Sequence, residues 1–136
     1  MAPKNELPIV EVIQVDESFE LKDNVIEFYA SLEEFTVIGP RELKEIQTGI
    51  QLKIPSGYYM LVTMDIPLFK ETNLILAGGV FIINSGDEDE VVITLANLTR
   101  KSITINHGDC IAIGTLIKSQ EFSMKNVDSF KLRGDI

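Results

Sequence analysis

The strictest pattern in the chain lies at residues 43–54. Ile46, Thr48, Ile50, Leu52 and Ile54 alternate with Glu45, Gln47, Gly49, Gln51 and Lys53. A period of two puts these sets on opposite faces of a pleated backbone, so the segment is a half-buried strand. Pro55-Ser56-Gly57 ends it with turn chemistry, and the next strand covers 58–64. Asp65-Ile66-Pro67 then breaks the pattern, because proline cannot donate to a ladder. At most one helical turn is expected at 67–72.

Shorter strands are expected at 9–15, 25–30 and 35–38, and again at 102–105 and 110–118. The stretch GGVFIINSGDEDEVVITLAN, residues 78–97, reads as a β-hairpin: two apolar runs about a turn at Asn84-Ser85-Gly86-Asp87. Strands recurring every eight to twelve residues or so, with turn signals between them, describe an all-β sandwich or closed barrel. With 136 residues, 45% of them hydrophobic, the chain suits one domain with a sizeable core. That domain is expected over 1–119, after a loose start. Residues 120–136 form a polar tail with Phe122, Val127, Phe130 and Leu132 spaced along it, which either docks on a neighbouring subunit or hangs free.

A formal net charge of −9 opposes binding to nucleic-acid phosphates or anionic membranes. The single cysteine, Cys110, excludes an internal disulfide and a multi-cysteine zinc site. It sits in an apolar run and reads as a buried, inert thiol. The single histidine, His107, reads as a solvated turn residue. Neither a metal site nor a cofactor is expected. MAPKNELP lacks the apolar region of a signal peptide, and no run is long enough to span a bilayer. The expected location is inside a cell or in a particle assembled there.

Three segments, in order, resemble the trimeric dUTPase family. IQTGIQLKIPSGYY resembles its Thr-Gly-Ile strand and Pro-x-Gly-Tyr turn. LAGGVFII followed by EVVITLAN resembles the strands around its Gly-Val-Ile-Asp motif, and GDCIAIGTLI resembles its Gly-Asp-Arg-Ile-Ala-Gln-Leu segment. The resemblance implies a jelly-roll β-barrel, a homotrimer and active sites formed between subunits. It also implies a triphosphate substrate, usually with magnesium, and a carboxylate that activates water.

Carried over position by position, the resemblance departs where charge is handled. The catalytic Asp falls on Ile82 counting forward, or on Asn84 counting backward. The phosphate-binding Arg-Ser-Gly-Leu falls on Asp65, Ile66, Pro67 and Leu68, the Arg of the later motif on Cys110 and its Gln on Ile113. Glu27 stands for the Asp of the first motif, and the glycine-rich C-terminal arm is not found. Gly49, Pro55, Gly57, Gly79, Asn97 and Gly108, which shape turns, are kept. Asp87 and Asp89 are the carboxylates nearest the lost base.

These departures lead to an expectation of a non-enzymatic, homotrimeric structural or interaction protein with no bound nucleotide. A viral origin follows by analogy with viral proteins derived from this family. The alternative is a divergent nucleotide-binding protein or dUTP pyrophosphatase with a rebuilt site. The acidic turn Asp87, Glu88, Asp89 and Glu90 is then either a solvated tip or the docking patch for an unidentified basic protein. Arg133, Gly134 and Asp135 spell a tripeptide read by integrins. Arg100-Lys101 is too small a basic patch for nucleic acid.

Overall fold

The computed structural model describes residues 6–15 and 22–131. Ten strands and one short helix follow in the order β1 (Glu11–Gln14), β2 (Ile26–Tyr29), β3 (Thr36–Ile38), β4 (Leu43–Lys53), β5 (Tyr58–Met64), α1 (Ile66–Thr72), β6 (Ile75–Leu76), β7 (Phe81–Asn84), β8 (Glu90–Ala96), β9 (Ile103–Ile105) and β10 (Cys110–Lys118). One sheet has the order β1-β4-β8-β6 and a second the order β2-β10-β5-β7, with β3 and β9 forming a small ladder. The ladders are antiparallel. The architecture is all-β, as the strand spacing calls for, and it is the jelly roll that the resemblance implies.

Both sheets turn alternate residues into one core. Ile46, Thr48, Ile50, Leu52 and Ile54 are all buried, as the period of two requires. Phe28, Met60, Val62, Ile93, Leu95 and Ile111 meet them there. Each large apolar side chain so buried contributes about 1.5–3 kcal/mol of hydrophobic stabilisation. Thr48 is the polar exception, and its Oγ1 donates to Val91 O at 2.6 Å. Gly49 bends β4 beside it, with φ +69°, and a Cβ there would stand 3.2 Å from Ser31 Oγ. The β4–β8 register shifts across this bend, and Val15 N donates to Gly49 O.

Two expectations need correction. The 78–97 stretch is not a hairpin: β7 pairs with β5, while β8 pairs with β4 and β6. Residues 85–89 carry the chain from one sheet to the other. Alternation identifies a strand but not its partner, so the sequence pattern could not separate these cases. The break at Asp65 does end β5 as expected, but the helix that follows, Ile66–Thr72, runs to about two turns instead of one at most. Asp65 Oδ2 accepts from Leu68 N at 3.0 Å as the N-cap, and Pro67 lies in the first turn, where its missing N–H costs nothing. Asn73, with φ 60°, closes the helix.

Candidate functional site

The positions that the resemblance assigns to chemistry fall at two ends of one sheet. At the first end, β2, β10 and β5 lie side by side, with Glu27 opposite Ile113 and Ile113 opposite Thr63. Phe28 points into the core, so its neighbours Glu27 and Tyr29 point outward. Tyr29 lies opposite Cys110, and Asp65 N donates to Ile111 O at the end of β5. Glu27, Tyr29, Asp65 and Cys110 thus form one cluster, drawn from segments that are far apart in sequence.

Within the cluster the Tyr29 hydroxyl donates to Glu27 Oε2. Cys110 Sγ donates to Asp65 Oδ1 at 3.5 Å. Lys22 Nζ stands 3.9 Å from Glu27 Oε1 in a half-exposed pair, a geometry that adds little stability. The hydrogen bond to Glu27, helped by burial, pushes the Tyr29 phenol up to about 12. Burial and then the Asp65 carboxylate push the Cys110 thiol up to about 12. Both groups hold their protons at neutral pH, so neither serves as a nucleophile. Cys110 is half-buried and inert, close to the sequence reading.

Asp65 departs from expectation in a way that matters. Read as a charge facing the ligand, it would repel phosphate. In the fold it is 8% exposed, with one oxygen spent on the helix cap and the other facing Cys110. Both of its oxygens are thus engaged within the chain, and its charge remains. His107 is exposed, and its Nδ1 accepts from Leu32 N at 3.1 Å, so it pins the loop after β2 as well as occupying its turn.

The second end holds the position of the missing base. Asn84 pairs with Tyr59 on β5, four residues from Thr63. Three strand spacings and four residues of rise separate Asn84 from Glu27, a distance of about 19 Å within one chain. Ile82 and Asn84 are exposed on the face where Glu27 also lies. In the turn that follows, Asp87 Oδ2 accepts from Asn84 N at 2.9 Å, and Asp87 N donates to Asn84 O. Glu90 Oε2 is shielded from solvent with no hydrogen-bond partner. Glu88 and Asp89 are exposed. Among the described residues, no three His, Cys, Asp or Glu side chains converge as a metal cage. Arg133, Gly134 and Asp135 lie outside the described residues.

A cleft of about 580 Å³ opens between β1 and β2, floored by Ile50, Leu52, Met60 and Leu116. A second groove, lined by Arg100 and Lys101, lies beside the end of α1. Sequence reading passed over this groove because its two walls are distant in the chain.

The dUTPase family model matches residues 29–133. The deoxyuridine 5'-triphosphate nucleotidohydrolase of Desulfotalea psychrophila is 35% identical over 83 residues, which is 61% of this chain and 55% of that protein. The chain therefore spans little more than half the length of that relative. The enzyme of the same description from Wolbachia pipientis subsp. Culex pipiens is 28% identical over 105 residues, 77% of this chain and 69% of that protein. The dUTPase of phage phi11 of S. aureus has the same fold, with a TM-score of 0.75 at 18% identity, covering 91% of this chain and 99% of that one. A variant dUTPase of Staphylococcus bacteriophage 80alpha with dUpNHpp gives 0.75 at 18% identity, covering 90% and 99%.

These relatives overturn the expectation of a chain without enzymatic activity. The curated proteins matched are nucleotidohydrolases, and they lend no support to an unidentified protein partner. The physical fault in that expectation was to equate a missing letter with a missing group. Residues 65–68 form a helix start, and 84–90 form a turn rich in carboxylates, so position-by-position carry-over does not say which groups reach a substrate.

Proposed function

The chain belongs to the dUTPase family, and on that footing we propose that it is a divergent dUTP pyrophosphatase with a rebuilt site, acting as a homotrimer. The observation that carries the reading is the register that sets Glu27 and Asn84 three strands and four residues apart on one face of one sheet, about 19 Å by ideal strand spacing. Two groups so far apart cannot act on one phosphate, whereas facing ends of two copies can.

In this reading one copy contributes the Glu27–Asp65–Cys110 end and its neighbour the 84–90 turn. Water attacks the α-phosphorus as the bond to the bridging oxygen breaks, and pyrophosphate leaves. A carboxylate of the neighbour's turn takes the water proton, with Asp87 and Asp89 as the candidates. A magnesium ion would come with the triphosphate, needing only one or two protein carboxylates, and would neutralise phosphate charge. Of the clustered acids, Glu27 is the half-exposed one suited to hold it. The tail from residue 120 is proposed to dock on a neighbouring copy. Phe122, Met124 and Phe130 are 80%, 87% and 92% exposed in the single chain, a cost that burial between copies removes.

The test is a mixing experiment. Glu27→Gln and the double change Asp87→Asn/Asp89→Asn should each abolish dUTP turnover. Co-expression of the two variants should restore part of it, since some interfaces then carry both intact ends. Two active single variants, or no recovery on mixing, would contradict the shared site.

A further inference from the structure

The connection between β8 and β9 is built on Asn97, which is fully buried. Its Nδ2 donates to Ile38 O at 2.9 Å and to Lys101 O at 2.8 Å. Its Oδ1 accepts from Thr99 N at 2.9 Å and Thr99 Oγ1 at 2.7 Å. Lys101 N in turn donates to Thr99 Oγ1 at 3.2 Å. A loop tied at so many points presents its remaining side chains in a fixed direction. Among them are Arg100 and Lys101, both exposed, beside the exposed Leu98.

With the end of α1 this loop encloses a groove of about 610 Å³, lined by Asn73, Thr99, Arg100, Lys101, Ser102 and Thr104. Neither cation has an ion-pair partner among the described residues. On a chain of net charge −9, two adjacent uncompensated cations facing hydroxyl donors favour an anion. Two features oppose it, Glu71 at the rim and the C-terminal carbonyls of α1. One of these carbonyls is occupied, since Phe69 O accepts from Asn73 N at 2.7 Å, and Leu68 O one residue earlier accepts from Thr72 Oγ1 at 2.7 Å. The groove lies at the far end of the element that replaces the family's Arg-Ser-Gly-Leu segment, about 10 Å from Asp65 along the helix.

We propose that this groove binds a polyphosphate anion, with Arg100 and Lys101 as its cationic clamp and the Ser102 and Thr104 hydroxyls as neutral donors. The site deepens the pyrophosphatase reading and rests on it for the source of the anion, a nucleotide's triphosphate or the pyrophosphate released from it. Arginine and lysine are the usual partners of such oxygens, and charge-assisted bonds of this kind are the strong ones.

Calorimetric titration of the full chain with pyrophosphate, dUpNHpp and dUMP tests the proposal. Pyrophosphate should bind saturably, and Arg100→Gln/Lys101→Gln should weaken it at least roughly tenfold while leaving the thermal melt unchanged. The control Lys44→Gln/Lys53→Gln, two exposed lysines of β4, should bind as the native chain does, and dUMP more weakly than pyrophosphate. Parallel loss of dUpNHpp binding assigns the groove to the nucleotide, whereas loss confined to pyrophosphate assigns it to the product. Absence of saturable pyrophosphate binding, or equal binding by the double variant, overturns the site. Measured alongside, dUTP turnover separates the two claims. Turnover with unaltered anion binding in the variant removes the groove alone, and binding lost in the variant without native turnover removes the enzyme reading alone.

Discussion

Cys110 Sγ lies 3.5 Å from Asp65 Oδ1, although the two residues are 45 positions apart. The contact joins the start of β10 to the cap of α1 and, after burial, is the next cause that keeps the thiol protonated. A thiol held at about 12, against an ordinary 9.0, carries far less thiolate at neutral pH. Alkylation of the native chain by iodoacetamide at pH 8 should therefore be at least about a hundredfold slower than in urea. Asp65→Asn keeps a capping side chain but removes the charge, so it should speed alkylation without unwinding α1. Equal rates in native and unfolded chains would contradict the contact.

The same shifts set an alkaline limit on stability. Tyr29 and Cys110 are both raised, so below about pH 9 they are protonated in folded and unfolded chains alike. Between pH 9 and 12 the unfolded chain releases protons that the folded chain retains, and stability falls as pH rises. Urea midpoints should drop across that window, and less steeply for Cys110→Ala. A flat profile to pH 12 would exclude the effect.

Asn97 holds together the 97–102 loop and the β3 strand. Asn97→Ala strands Ile38 O and Thr99 N and leaves Lys101 O only the Thr99 hydroxyl, with a cost of about 3 kcal/mol. Asn97→Asp should do no better, because a carboxylate cannot donate to the two carbonyls. Urea denaturation gives both numbers directly, and a loss under about 1 kcal/mol would contradict the network.

Removal of residues 120–136 tests the tail. Light scattering on the full chain should give three times 15.2 kDa. The truncated chain should keep its β-sheet circular dichroism but shift toward single copies and lose dUTP turnover. A truncated chain that stays trimeric would show that the tail does not hold the copies together.

Much of this fold was legible in the residues, and the illegible part has a common cause. The alternation Ile46, Thr48, Ile50, Leu52 and Ile54 places its side chains correctly, since a two-residue period is local physics. Residues 110–118 were delimited as β10 for the same reason. The sheets to which β7 and β8 belong were not legible, because pairing is settled by partners far away in sequence. Asp65 was visible as a departure from the family pattern, but its capping role depends on Leu68 and Cys110 standing where they do. The groove at Arg100 and Lys101 was hidden likewise, since its second wall is the end of α1. Charge read by position alone led to an inert protein; charge read with its neighbours shows Asp65 capping a helix and Asp87 closing a turn, which position alone does not reveal.

The most direct measurement is dUTP turnover by the full chain with magnesium, following dUMP and pyrophosphate together. The account predicts equal release of both products, above a protein-free control and lost in Glu27→Gln. Unchanged dUTP after prolonged incubation with an equimolar amount of correctly assembled trimer would contradict it.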